Sequence, residues 1–209
     1  MSHFCVIALC EYPSEIEYIL EPFQENNMGD CPKEYLEFVE DDNCDTDEET
    51  GKRGYWENPN AKWDWWEIGG RWKGFLNTKD GKQVNYAQIK DINFSSPPTQ
   101  EQISNRKRIW EIAVEGAEMS EDEFYGIIYS KEYYVDRWGT KEKYVEELGK
   151  LIPWAYISPD REWNDIGNMG WWGFSDETKE SRENFIKKWE KAISEIPEDY
   201  YAVVVDCHI

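Results

Sequence analysis

The chain opens with His3-Phe4-Cys5-Val6-Ile7-Ala8-Leu9-Cys10 and closes with Tyr201-Ala202-Val203-Val204-Val205-Asp206-Cys207, two short apolar runs rich in strand formers. A run without polar alternation is covered on both faces, so both ends of the chain predict interior strands. Between them, Ser14-Glu15-Ile16-Glu17 has capping-box spacing and predicts a short helix, and Pro32 predicts the start of another through Tyr35, Leu36 and Val39. Residues 40–54 are acidic and turn-rich and read as an exposed loop. Gly74–Asn77 and Gln83–Tyr86 flank Lys79-Asp80-Gly81, whose Asp-Gly signals a hairpin. After a break at Ser95–Pro98, helices are expected over Gln100–Gly116, Lys131–Trp138, Lys141–Leu148 and Glu177–Ile196, and a strand over Trp154–Ile157. The pattern predicts one α+β domain over residues 1–209, a mixed or antiparallel sheet holding the N- and C-terminal strands in its interior, with several helices packed on it.

Composition changes this picture in one respect. With 12 Trp, 13 Tyr and 8 Phe in 209 residues, large rings supply burial that Leu and Val usually provide. The net charge of −21 argues against duplex nucleic acid as a partner, because the phosphate backbone repels such a surface. Fifteen acids and the single base Lys33 fall in residues 1–50, leaving the rest mildly acidic and able to hold a local cationic site. No apolar run approaches the ~20 residues of a membrane span, and the N-terminus lacks a basic signal-peptide region, so a cytoplasmic protein is expected. Five cysteines without a C-x-x-C pair indicate neither a disulfide framework nor structural zinc, and Cys5 and Cys207 read as small buried hydrophobes. No metal and no cofactor is expected.

Nine of the twelve tryptophans fall in two windows, Trp56–Trp72 and Trp154–Trp172. The first contains Trp63-Asp64-Trp65-Trp66-Glu67-Ile68-Gly69-Gly70-Arg71-Trp72, the second Met169-Gly170-Trp171-Trp172-Gly173. Glycines permit positive φ and close backbone approach, rings offer stacking faces, and the Arg71 fork suits a carboxylate or phosphate. The combination points to aromatic-glycine loops forming two walls around a flat, anionic, nucleotide-like ligand, with Trp63, Asp64, Trp65, Trp66, Gly69, Gly70, Arg71, Trp72, Trp171 and Trp172 as candidate contacts. The alternative is two aromatic mini-cores pinned by tight turns. Neither window matches a known phosphate or dinucleotide loop.

The two histidines, His3 and His208, lie at the outer ends of the terminal strands. Antiparallel neighbours would bring the imidazoles together, whereas parallel ones would separate them by most of a strand. Alternation puts Asp206 and His208 on one face, where a carboxylate can orient a ring. His3, His208 and Asp206 are therefore candidate catalytic residues for metal-independent phosphodiester cleavage, with idle terminal histidines as the alternative.

The Asn58–Trp72 stretch (Asn-Pro-Asn-x-Lys-Trp-Asp-Trp-Trp-x-x-Gly-Gly-Arg-Trp), the Met169–Gly173 element and the ending Val204-Val-Asp-Cys-His-Ile209 resemble a family of uncharacterised phage and bacterial proteins. Ser2-His3-Phe4 and Tyr133–Gly139 are similar to it as well, so the likeness touches most of the chain outside residues 40–54. The resemblance implies a phage-type accessory protein of the host cytoplasm, of a kind that counters host defence by binding or destroying nucleotide signals or by occluding a defence protein. Three readings follow: sequestration of a small nucleotide-like anion through Arg71 and the aromatic windows, hydrolysis of such a ligand by the histidines, or inhibition of a host protein by acidic residues 11–50 that imitate nucleic-acid charge.

Overall fold

The structure, a computed structural model, describes residues 2–170 and 175–209. Its elements in chain order are β1 (His3–Cys10), α1 (Ile16–Leu20), β2 (Glu37–Glu40), β3 (Gly54–Glu57), β4 (Trp65–Ile68), β5 (Leu76–Asn77), β6 (Gln83–Val84), β7 (Tyr86–Gln88), α2 (Gln100–Ala113), α3 (Lys131–Trp138), α4 (Lys141–Glu146), β8 (Ala155–Ile157), β9 (Trp163–Asp165), α5 (Lys179–Glu195) and β10 (Tyr201–His208). The fold is α+β, built on a mixed six-stranded sheet of order β4-β10-β1-β8-β9, with β7 also paired to β10.

The terminal runs form the middle of this sheet. β1 and β10 pair antiparallel over their whole length, from His3 opposite His208 to Cys10 opposite Tyr201. β8 adds parallel to β1, and the other edge of β10 is shared by β4 and β7. Both faces of β1 and β10 are covered, which is why neither run alternates. On one face Ile7, Leu9, Ala202 and Val204 meet Phe185 and Trp189 of α5 and Tyr156 of β8. On the other, Phe4, Val6, Ala8, Val203 and Val205 meet Ile16, Ile19 and Leu20 of α1, with Phe23 and Trp63. A third cluster of Trp110, Tyr134, Trp138 and Tyr144 joins α2, α3 and α4. Arg182 of α5 ties that cluster to the sheet layer by pairing with Glu147 at 2.6 Å and Glu177 at 2.8 Å, and Glu177 also accepts from Arg137 at 2.8 Å.

The helices α2, α3, α4 and α5 and the strand β8 lie where the sequence predicts them, α3 with the same bounds and the others with ends trimmed by one to three residues, and the Asp80-Gly81 turn joins β5 to β6. Residues 33–39 do not form the expected helix. Lys33–Tyr35 is a single 3-10 turn, and Glu37–Glu40 is a strand paired with Gly54–Glu57, where Phe38 packs edge-on against Trp56 with centroids 5.3 Å apart. Long-range ring packing outweighs the helical spacing of three apolar residues there. The short first helix follows a 3-10 turn, Pro13–Glu15, and the capping bond is not the one expected at Ser14: Glu15 accepts from the Tyr12 amide at 3.0 Å, and α1 itself has no side-chain cap. The aromatic windows are not simply loops either, since Trp65–Ile68 and Trp163–Asp165 are sheet strands. No helix among the described residues is long and apolar enough to cross a membrane.

Candidate functional site

Antiparallel register brings the two histidines together. His3 and His208 are directly opposed on β1 and β10, and their ring centroids are 4.9 Å apart at an interplanar angle of 72°. Ser2 and Ile209 exchange backbone hydrogen bonds of 3.0 and 3.1 Å just beyond them, so the pair sits on a closed ladder, not on fraying ends.

Each imidazole has its own carboxylate. His3 Nδ1 lies 2.9 Å from Asp206 Oδ1, and His208 Nδ1 lies 2.5 Å from Asp64 Oδ1. A carboxylate accepts, so each Nδ1 carries a proton, and Nε2 is left to present a lone pair in a neutral ring or a proton in a cationic one. The buried side-chain polar atoms left without a partner among the described residues are Asn26 Oδ1 and Arg161 Nε. The His3 and His208 side chains are 15% and 11% exposed.

Asp206 is the buried hub, 2% exposed. Its second oxygen accepts the Arg71 backbone N–H at 2.9 Å, so two donors hold a carboxylate that burial would otherwise penalise. The Gly69-Gly70 pair makes that contact possible. Gly70 has φ +46°, and a Cβ there would lie 2.4 Å from Asp206 Cβ and Oδ2; Gly69 has φ +79° and abuts Asn85 in the same way. Chain reversal after β4 thus requires residues without side chains, and the glycines serve backbone approach to Asp206 and Asn85. Asp64 is set by β4, which pairs with β10 so that His208 faces Trp65 and Asp206 faces Glu67; the Asp64 amide also donates to the His208 carbonyl at 2.9 Å. Trp65 is half exposed and meets His3 edge-on at 6.5 Å.

Of the residues singled out from sequence, His3, His208, Asp206, Asp64, Trp65, Gly70 and the Arg71 backbone converge on this end of the sheet. The Arg71 side chain is exposed and has no ion-pair partner among the described residues, because Asp64 is engaged with His208. Three tryptophans are placed differently from the expected ligand walls. Trp63 is buried in the α1-side core and donates to the Leu20 carbonyl at 3.1 Å; Trp66 packs against that core on the sheet face opposite Trp65; Trp72 packs against the α5-side core. Adjacent residues of a strand face opposite sides, so Trp65 and Trp66 cannot share a wall. Trp171 and Trp172 lie outside the described residues. The role of Asp64 as partner of His208 escaped sequence reading, because only the register of β4 on β10 creates it.

Two other features of the sequence have structural roles. The acids of residues 40–54 belong to the β2–β3 hairpin, where Asp41 caps Asn43 and Asp47 accepts from Thr50 and Trp56; these hydrogen bonds hold both carboxyls below their ordinary range. Cys5, Cys10, Cys31 and Cys207 are buried free thiols, and Cys44 is half-buried. Burial, reinforced by Asp206, raises the Cys5 thiol above its ordinary range, so the sulfur beside the site is held as a neutral thiol. Among the described residues, no group of three or more His, Cys, Asp or Glu side chains is disposed to hold a metal ion. No protein-family model, curated protein or solved structure matches the chain.

Proposed function

We propose that the chain cleaves a small nucleotide-like phosphodiester by general acid–base catalysis from His3 and His208. The observation that supports this most is the pairing of two imidazoles at 4.9 Å, each backed at Nδ1 by its own carboxylate. A structural histidine needs one hydrogen-bond partner; two facing rings, each with its own carboxylate and each partly exposed, match the demand of a reaction that takes one proton and gives another.

In this reading one neutral imidazole accepts at Nε2 the proton of an attacking water or hydroxyl as its oxygen bonds to phosphorus. The bond from phosphorus to the leaving oxygen breaks, its electron pair stays on that oxygen, and the Nε2 proton of the other, cationic imidazole neutralises it. Asp206 and Asp64 fix the tautomers and stabilise each cationic ring in turn. Arg71 supplies a cation for the phosphoryl oxygens and Trp65 a face for a planar base. The base, the acid and the cation are all side chains.

A sequestering binder is the second reading, favoured by the half-exposed Trp65 and the exposed Arg71 guanidinium, which has no ion-pair partner among the described residues; together they would hold a flat anion without chemistry. The phage-type, anti-defence setting in the host cytoplasm belongs to both readings. The test is incubation of the purified protein, in excess chelator, with bis(4-nitrophenyl) phosphate and with a dinucleoside monophosphate, followed by chromatography and mass spectrometry. Turnover with a bell-shaped pH profile, reduced about 10²- to 10⁴-fold in His3→Ala and in His208→Ala, is expected. Recovery of intact probe retained on the protein would favour sequestration, and neither turnover nor retention would turn attention to the acidic-inhibitor reading.

A further inference from the structure

The turn that carries the Arg71 amide to Asp206 continues into a separate cleft of about 370 Å³, and none of the residues lining it belongs to the histidine site. Its chemistry is unlike that of the rest of the surface. The chain is 32% charged, which would put about four charges among twelve lining residues, yet Lys150 is the single charged one. In their place stand the amides Asn77, Gln83, Asn93 and Gln102, with Phe75 as an aromatic face.

Two of those amides are free to read a ligand. Asn77 and Gln83 are directly opposed on β5 and β6, so their side chains leave the same face of the hairpin, and neither makes a side-chain hydrogen bond to another described residue. Asn93 and Gln102 are used internally: Asn93 donates to Ser96 at 2.9 Å, and Gln102 accepts from the Thr99 amide at 2.8 Å. The floor is rigid, because Gly149 at φ +81° lies so close to the Ser96 carbonyl that a Cβ would sit 1.9 Å from its oxygen, and the Ser96 amide donates back to Gly149 at 2.7 Å.

We infer that this cleft binds an uncharged nucleobase, with Asn77 and Gln83 reading its edge. A side-chain amide presents one donor and one acceptor side by side, the complement of the amino-and-ring-nitrogen edge of adenine, and the scarcity of charge suits a ligand that carries none. The volume is sufficient for a nucleoside. Lys150, the one cation of the lining, is paired with Glu190 at 3.2 Å, so its charge is already neutralised. The inference goes beyond the reading of the histidine site and does not depend on turnover there.

The test is calorimetric titration of the full chain with adenosine, with maltose as a neutral polyhydroxy control, on the wild type and on Asn77→Asp, Gln83→Glu and His208→Ala, each checked by circular dichroism for native folding. Both hairpin substitutions are isosteric, lie at exposed positions and remove an amide donor. Adenosine binding weakened at least tenfold in Asn77→Asp and Gln83→Glu and unchanged in His208→Ala is expected. Absence of adenosine binding to the folded wild type would overturn the assignment. So would a loss confined to His208→Ala, which would place the base at the histidine site, or maltose binding as tightly as adenosine.

Discussion

Asp206 and Arg71 are joined by a single hydrogen bond, from the Arg71 backbone amide to Asp206 Oδ2 at 2.9 Å, and that bond links the last strand to the glycine turn after β4. The other oxygen of the same carboxylate holds His3. One buried side chain therefore fixes both the ring that does the proposed chemistry and the turn that presents the Arg71 cation, which makes structure and function separable by choosing which end of the arrangement to alter.

Asp206→Asn and Asp64→Asn should differ in stability more than in activity. Asp206 is 2% exposed, and an amide in its place cannot match a charged acceptor serving two donors, so unfolding free energy should fall by about 1–3 kcal/mol. Asp64 is 23% exposed, water can replace part of its role, and its loss should cost little stability. Both variants should lower turnover of the phosphodiester probes by about 10²-fold or more, since each frees one imidazole from its tautomer. Urea unfolding beside steady-state kinetics reads the two quantities; equal stability losses with unchanged turnover would detach the carboxylates from the proposed catalysis.

Gly70→Ala is expected to be among the most damaging single-methyl additions. The left-handed conformation alone costs a non-glycine residue about 1–2 kcal/mol, and the new Cβ would meet the Asp206 side chain at 2.4 Å. Gly81→Ala, also at positive φ but with open space around it, should show the conformational cost without the clash. A larger fall in denaturation midpoint for Gly70→Ala than for Gly81→Ala, accompanied by altered His3 imidazole shifts by NMR, is the expected result; equal falls would mean that the turn relaxes away from Asp206.

The buried thiols set an alkaline limit on stability. Burial, with a smaller push from Glu15, raises Cys10 to about 12, and burial likewise raises Cys5 and Cys207. In the unfolded chain a thiol titrates near about 8.5. The native state therefore binds more protons in between, and the stability held below about pH 8.5 is lost progressively as pH rises towards 12. Thermal melts from pH 8 to 11 should show a falling midpoint that is shallower in Cys10→Ala than in the wild type. In the native protein at pH 8, iodoacetamide should modify the half-buried Cys44 first, with Cys5, Cys10 and Cys207 reacting after denaturation; rapid native labelling of Cys5 or Cys10 would contradict their burial.

Much of the architecture is local in origin and so was legible along the chain. Short unbroken apolar runs rich in Val and Ile read as central strands, and helices such as α2 and α5 carry their own caps, Thr99 with Gln102 and Thr178 with Ser181. The β2–β3 hairpin was not legible, because Phe38 meets Trp56 across a long acidic connection and no local pattern encodes that contact.

The candidate site divides in the same way. The sequence by itself determined which chemistry-bearing residues exist: two histidines, each near a chain end, an aspartate two positions before one of them, and a glycine pair ahead of an arginine. Alternation alone placed Asp206 and His208 on one face. Tertiary structure decided the rest. Antiparallel register put His3 opposite His208, the cross-strand geometry gave Asp206 to His3 instead of to its own neighbour on β10, and the pairing of β4 delivered Asp64 to His208. It also sent Trp65 to solvent and Trp66 to the core, because which face a strand residue occupies depends on what packs on each side of the sheet, and that is set by segments remote in sequence, α1 on one face and α5 on the other.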